Sequence, residues 1–358
     1  MNKITLPRLN DLHAHLREKK LMKAIIRLFN VCGWVVAMGN LEENIASGED
    51  VEAYKDEISG YNPLFAPIFT VMFIRSMTPN KLRVAYMAGA RILKLIPGGA
   101  STNSDECIKL DELPKYYNVL RAARELGMIF SIHLELAIDP IAKIEINRIY
   151  REVCAIPYLK NLIEKVPNLK IVVEHISTTE LLEVVLSAPD NVFGTATAHH
   201  CVLSKLDLYD GGRRNPHLLC NPILKSPMDA ESIIRQINDP YNTKIGFGSD
   251  CAAHWKYLKE SDNPPCGIFS PPPIAVPLII QKSQELGILN ISALNNFFCR
   301  NGEQYYSLPP TTQSVVLEKK PWQVTREYMG IVPLWAGKIL SWRITSPKNN
   351  FAGILAAK

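Results

Sequence analysis

Short runs of apolar, β-branched residues recur along this chain, separated by longer stretches with helical periodicity. That alternation constrains the fold more than any other feature. The runs that read as strands are RLNDLHAH (8–15), WVVAM (34–38), PIFTVMF (67–73), RILKLI (91–96), MIFSIHL (128–134), KIVVEH (170–175), NVFGTATA (191–198) and KIGFGSD (244–250). Helices are expected between them, among others over EKKLMKAIIRLFN (18–30), PNKLRVAYMAGA (79–90), LPKYYNVLRAARELG (113–127) and SPMDAESIIRQIN (226–238). Two of these run into Ala-Gly or Leu-Gly just before the next strand, as helix C-termini do. Eight strands alternating with helices predicts a (β/α)8 TIM barrel. The same periodicity also fits a doubly wound open sheet.

A length of 358 residues suggests two domains by simple division, although α/β barrels often reach it as one. The barrel is expected over 1–300. The pattern then breaks at YYSLPPTT, and 301–358 is expected to be a small C-terminal segment packing on the barrel, with a short strand or two around GKILSWRI. Hydrophobic residues make up 47%, enough for a large core, and the net charge of +5 comes from scattered lysines and arginines without a basic block. Neither disorder nor nucleic-acid binding is indicated. The eight cysteines form no C-x-x-C pair and read as reduced thiols of a cytoplasmic protein. The opening MNKITLPRLN lacks the apolar centre of a signal peptide, and the longest apolar stretch, PPPIAVPLII, is too short for a membrane span.

The informative feature is where unusual polar residues fall. His13 and His15 end the first strand, Asn40 follows the second, Lys94 lies in the fourth, His133 and His175 end the fifth and sixth, and Asp250 ends the eighth. In a barrel the C-terminal ends of all strands meet at one mouth, where active sites are built. Residues two apart in a strand share a face, so His13 and His15 would project side by side. Each residue has an ordinary alternative. His133 and His175 could be satisfied core histidines, and Asp250 could cap a helix. Lys94 resists such a reading, because an ammonium among Ile92, Leu93, Leu95 and Ile96 is costly without a partner. Four histidines and an aspartate exceed what one catalytic zinc needs, and suit two metals if a bridging ligand exists. A neutral Lys94 amine that takes up CO2 becomes such an anion (N6-carboxylysine).

This set resembles the amidohydrolase superfamily. Within it, DLHAHLRE, MGNL, LKLIPGGASTNS, VVEHISTTE, PHLLCNPILKS and GSDCAAHWKYLKE resemble, in order and over nearly the whole chain, the shorter bacterial dihydroorotases. The resemblance implies a barrel holding two zinc ions, with His13, His15, carboxylated Lys94 and Asp250 around one and Lys94, His133 and His175 around the other. It implies that Arg17, Asn40 and His254 bind the substrate carboxylate, with His15 and His133 also on the substrate. Ser101 and Thr102 would lie in a mobile loop over the ring. Asn221 and Cys266 stand where leucine and alanine are commoner in substrate-contacting positions. His200 matches a family histidine without a ligand role. A tendency to form homodimers is also implied.

The reaction so implied is the reversible interconversion of dihydroorotate and N-carbamoyl-L-aspartate in pyrimidine synthesis. A hydroxide generated at the metals attacks the ring carbonyl, and Asp250 serves as general base and then acid. Two rival readings exist: another cyclic-amide hydrolase of the hydantoinase or allantoinase kind, and an inactive relative serving as a structural partner. The planar guanidinium of Arg17 favours a carboxylate-bearing substrate over the first, and a complete ligand set disfavours the second. The partners so implied are a small-molecule substrate and a second copy of the chain, with no nucleic acid and no membrane.

Overall fold

The computed structural model describes residues 2–100, 106–345, 355 and 356. Eight parallel strands form the centre: Leu9–His15, Cys32–Ala37, Ala66–Met72, Ala90–Leu95, Ile129–Ile132, Ile171–Val173, Val192–Ala196 and Ile245–Phe247. Each pairs with its neighbour in chain order. The last strand breaks for three residues and resumes as Cys251–Ala252, which pairs with Ala14 and His15 of the first. Because Ile245–Phe247 borders Val192–Ala196 and Cys251–Ala252 borders the first strand, the chain itself joins the two edges and closes the sheet. All eight expected strands are present and the barrel, not the open sheet, forms.

Period-two alternation fills the interior in layers. Leu12, Val36, Ile68, Ile92, Ile129, Val172 and Phe193 supply one residue from each of seven strands to a separate apolar cluster, against which Tyr305, Tyr306 and Leu308 pack. Tyr305 stacks on Phe193 at 4.6 Å between ring centres. Two residues further along the same strands come Lys94, Ser131, Glu174 and Thr195, all buried. The barrel is therefore apolar at one end and turns polar one layer towards the mouth.

The outer helices start where the sequence offers caps. Ser47 with Asp50, and Ser226 with Asp229, form capping boxes for Gly48–Gly60 and Pro227–Ile237. Thr78 caps Pro79–Ala88, which ends on Gly89 at φ 118°. The helix expected over 18–30 is α-helical only across Lys19–Ile25 and tightens to a 3-10 helix over Ile26–Val31. The one expected over 113–127 begins later, at Tyr117, behind a 3-10 segment that contains Pro114. The apolar stretch around 271–280 forms most of the buried helix Pro272–Glu285. Among the described residues no helix is long and apolar enough to cross a membrane.

Lys3–Pro7, which the sequence reading did not mark as a strand, pairs antiparallel with Ser314–Glu318, and that strand pairs with Arg343–Thr345. Both ends of the chain thus share a small sheet beside the barrel. Trp342, fully buried, donates from its indole N–H to Gln284 Oε1 at 3.1 Å and anchors this part to helix Pro272–Glu285.

Candidate active site

The paired ladder ends before the residues that matter. The strands expected to finish on His133, His175 and Asp250 stop at Ile132, Val173 and Phe247, so these three side chains leave the backbone just beyond the ladder. His175 and Asp250 have φ of 40° and 42°, and Arg17 has 61°. Left-handed backbone at three non-glycine residues of one mouth is strain held by the surrounding structure, as at functional sites. At Asp250 the holding contact is its N–H, which donates to the His13 carbonyl at 2.8 Å. At His175 it is an N–H donated to Thr195 Oγ1 at 2.7 Å.

The mouth encloses a cavity of about 460 Å³ lined by His13, His15, Lys94, His133, His175 and Asp250, and by Arg17, Asn40, Asn221, His254 and Cys266. Every expected site residue within the described part of the chain faces this one space. Ser101 and Thr102 lie outside the described residues.

Two nitrogen pairs converge inside it. His13 Nε2 and His15 Nε2 are 3.3 Å apart, and Asp250 Oδ1 lies 3.4 Å and 3.0 Å from them. His133 Nδ1 and His175 Nε2 are 3.0 Å apart. The edge of a tetrahedron with zinc–nitrogen bonds of about 2.0–2.1 Å is about 3.3 Å, so these separations fit adjacent ligands of one ion. Two carboxylates settle which nitrogens carry lone pairs. His13 donates from Nδ1 to Glu174 Oε2 at 2.8 Å, and His133 from Nε2 to Glu135 Oε2 at 2.8 Å. Each imidazole therefore turns its unprotonated nitrogen to the cavity, as metal-binding histidines do. Burial, with Arg17 and Lys94 close by, keeps His15 neutral, and burial with its neighbouring histidines does the same for His175.

Lys94 is 1% exposed, and its Nζ has no hydrogen-bond partner. Burial lowers its pKa, which favours the neutral, nucleophilic amine. A buried amine without a hydrogen-bond partner beside two sets of open nitrogen donors fits a divalent-metal site that also recruits the lysine.

Glu174, Glu135 and Asp11 were not assigned roles from the sequence. Glu174 also accepts from Thr195 Oγ1 at 2.7 Å and from Ser131 Oγ. Burial pushes its carboxyl up, while the hydrogen bonds from His13 and Ser131 favour its charged form. Asp11 Oδ1 accepts the N–H groups of Ser249 at 2.8 Å and His13 at 3.2 Å, which links the first strand to the last beside the ligands. A signal existed for one of them: Glu174 lies in period-two register with Val172 inside the apolar run expected as a strand over 170–175, whereas Glu135 falls just past the run over 128–134.

At the open side Arg17 donates from Nε to the Ala253 carbonyl at 2.9 Å and from Nη2 to His254 Nε2 at 3.0 Å. Burial and the nearby guanidinium drive His254 down to about 2, so its ring is neutral. Asn40 sits on the same wall with its side-chain oxygen unpartnered. His200, deeper in, has both ring nitrogens engaged, by Thr197 Oγ1 and the Pro222 carbonyl, each at 2.9 Å.

A closed barrel whose mouth gathers four histidines, an aspartate and a buried lysine defines a hydrolase of the amidohydrolase fold. No protein-family model matches the chain. The dihydroorotase of Neisseria meningitidis serogroup B is 34% identical over 353 residues, covering 96% of this chain and 99% of that protein. The crystal structure of dihydroorotase from Campylobacter jejuni superposes with a TM-score of 0.85 at 29% identity, covering 96% of this chain and 98% of that one. That of Saccharomyces cerevisiae dihydroorotase with 5-fluoroorotic acid gives 0.87 at 24% identity over 96% and 99%, and shows the shared fold. The chain belongs to the dihydroorotase family.

Proposed function

We propose that this protein is a dihydroorotase, catalysing the reversible hydrolysis of the cyclic amide of dihydroorotate to N-carbamoyl-L-aspartate in pyrimidine synthesis. The observation that carries the reading is one cavity lined both by a guanidinium beside a neutral imidazole, Arg17 and His254, and by the His13, His15 and Asp250 donors. A carboxylate-binding fork and a hydrolytic centre would then share one cavity of about 460 Å³.

His13, His15 and Asp250 would hold one zinc ion and His133 and His175 a second, with carboxylated Lys94 bridging. Metal bound there would supply a nucleophilic hydroxide near neutral pH and polarise the amide carbonyl. Arg17, Asn40 and His254 orient the ring by its carboxylate, which fixes the face presented to the donors. Asp250, buried so that its carboxyl is raised from the ordinary value, takes a proton and returns it to the departing ring nitrogen. Glu174 and Glu135 keep His13 and His133 in the ligand tautomer throughout. The cysteines, most of them buried, suit work in the reducing cytoplasm.

The test is a spectrophotometric assay of the metal-loaded protein with dihydroorotate beside hydantoin and allantoin, paired with elemental analysis. Turnover of dihydroorotate alone, with about two zinc ions per chain, is expected. Preference for either other ring would assign it to a different cyclic-amide hydrolase, and no turnover with little metal would make it a non-enzymatic relative.

A further inference from the structure

Behind one wall of the cavity, three connections of the barrel meet at a single guanidinium. Arg148 lies in the connection after strand Ile129–Ile132. Its Nη2 donates to the Cys220 carbonyl at 3.1 Å and to Asn221 Oδ1, and reaches Cys266 Sγ at 3.3 Å. Cys220 and Asn221 follow strand Val192–Ala196, whereas Cys266 follows Cys251–Ala252. Asn221, Cys266 and Gly267 line the cavity, and Arg148 stands behind them. The same two segments are joined elsewhere by Gly267 N–H donating to the Leu219 carbonyl at 2.8 Å. Buried Lys259 also ties them, donating to the Leu219, Pro265 and Gly267 carbonyls at 3.1, 2.9 and 2.8 Å.

A guanidinium only donates, so the amide oxygen of Asn221 must be the atom that faces Arg148. The other end of that amide is also committed: Nδ2 donates to the Ala100 carbonyl at 2.9 Å. The Asn221 side chain is therefore held at both ends and presents a fixed flank to the cavity. The Cys266 carbonyl and Arg17 Nη2 both lie 3.0 Å from His254 Nε2, which in a neutral ring either donates to the first or accepts from the second, so Cys266 borders the seat of Arg17 and His254. Arg148 thus braces the side chains of Asn221 and Cys266, while Lys259 and Gly267 tie the backbone of the same two segments.

We infer that Arg148 is a positioning residue for substrate binding: by fixing Asn221 and Cys266 it sets the width of the cavity opposite the metal donors, and so the affinity for the cyclic amide. This rests on the proposed dihydroorotase reading for the identity of the ring. All three contacts fall on Nη2, whose two N–H groups serve the Cys220 carbonyl and Asn221 Oδ1 and leave Cys266 Sγ a shared, weaker contact. The metal donors do not touch Arg148, so its contribution falls on binding and not on the chemical step.

The experiment measures kcat, KM and metal content of metal-loaded wild type, Arg148→Ala and Arg148→Lys, and of an Asn221→Leu/Cys266→Ala pair with and without Arg148→Ala. Arg148→Ala is expected to raise KM on the order of tenfold, with kcat within about threefold and metal content unchanged. Arg148→Lys should recover part of that loss. In the background that lacks both side-chain acceptors, Arg148→Ala should shift KM by less than about twofold, the signature of coupled residues. An unchanged KM in Arg148→Ala, an equal KM rise in both backgrounds, or a fall confined to kcat overturns the inference. Should Arg148→Ala not fold, Arg148→Lys and Arg148→Gln carry the same comparison. If the wild type turns over hydantoin or allantoin instead, the functional reading fails on that result alone, and the Arg148 comparison is made on whichever ring reacts.

Discussion

Glu174→Gln isolates what a buried carboxylate does for a histidine ligand. Glu174 is 1% exposed and accepts three hydrogen bonds, from His13 Nδ1, Thr195 Oγ1 and Ser131 Oγ. Glutamine keeps the shape but replaces one oxygen by a donor and removes the charge. A hydrogen bond to a charged group contributes about 1.5–3 kcal/mol and a neutral one about 0.5–1.5 kcal/mol, so the His13 contact alone weakens by about 1 kcal/mol. One of the two hydroxyls must also turn from donating to accepting. Together these place the loss at about 1.4–2.7 kcal/mol, a 10–100-fold fall in metal affinity, in line with the effect of removing a histidine's carboxylate partner elsewhere. Zinc titration against a chromophoric chelator, run beside kcat at saturating metal, reads both quantities. Weaker binding of the metal held by His13 is expected, with activity recovered as zinc is raised. Unchanged affinity, or activity lost for good while affinity stays intact, refutes the orienting role of Glu174.

Four further outcomes follow from the same site and core. Lys94→Ala should lose bound metal and most turnover, and added short carboxylic acids should restore part of both. Lys94→Arg should stay inactive, because guanidinium keeps its charge and forms no carbamate, and an active arginine variant would exclude the bridging role. Arg17→Ala should lower kcat/KM for dihydroorotate by about 2–5 kcal/mol of transition-state binding while leaving zinc content alone, which elemental analysis checks. Glu152 accepts the Ser177 N–H and hydroxyl at 3.0 Å each, and burial raises its carboxyl from 4.5 to about 7. The folded state then holds the proton more tightly than the unfolded one. The stabilisation is full below pH 4.5, is lost as pH rises to 7, and levels off above, on the order of 3 kcal/mol in all. Urea midpoints of wild type and Glu152→Gln at pH 5 and pH 8 measure this, and a gap between the two proteins that does not change with pH counts against it.

The barrel was legible because its signal is local. Period-two apolar runs, helical periods between them and caps such as Ser226 with Asp229 are properties of neighbouring residues, and they survive without knowledge of any distant contact. So were the polar residues at strand ends, from His13 to Asp250, because parallel strands of one barrel must all end at the same mouth. Strand ends were misjudged by a few residues at His133, His175 and Asp250, where left-handed backbone and contacts from Thr195 and His13 take the chain out of the ladder. The closure also lay beyond the sequence: Lys3–Pro7 finds Ser314–Glu318, and Asp11 finds Ser249, across hundreds of residues. Only the folded chain decides which nitrogen of His13 or His133 faces the cavity, since Glu174 and Glu135 impose it through hydrogen bonds that depend on side-chain direction and burial. Arg148 is the clearest case: alone in an irregular connection it reads as a surface cation, and it acquires a role because two other connections bring Asn221 and Cys266 to its guanidinium. Composition and spacing determine which residues can reach the mouth, while tertiary packing decides what each is bonded to there, because a hydrogen bond is specified by a distance and an angle that no local pattern encodes.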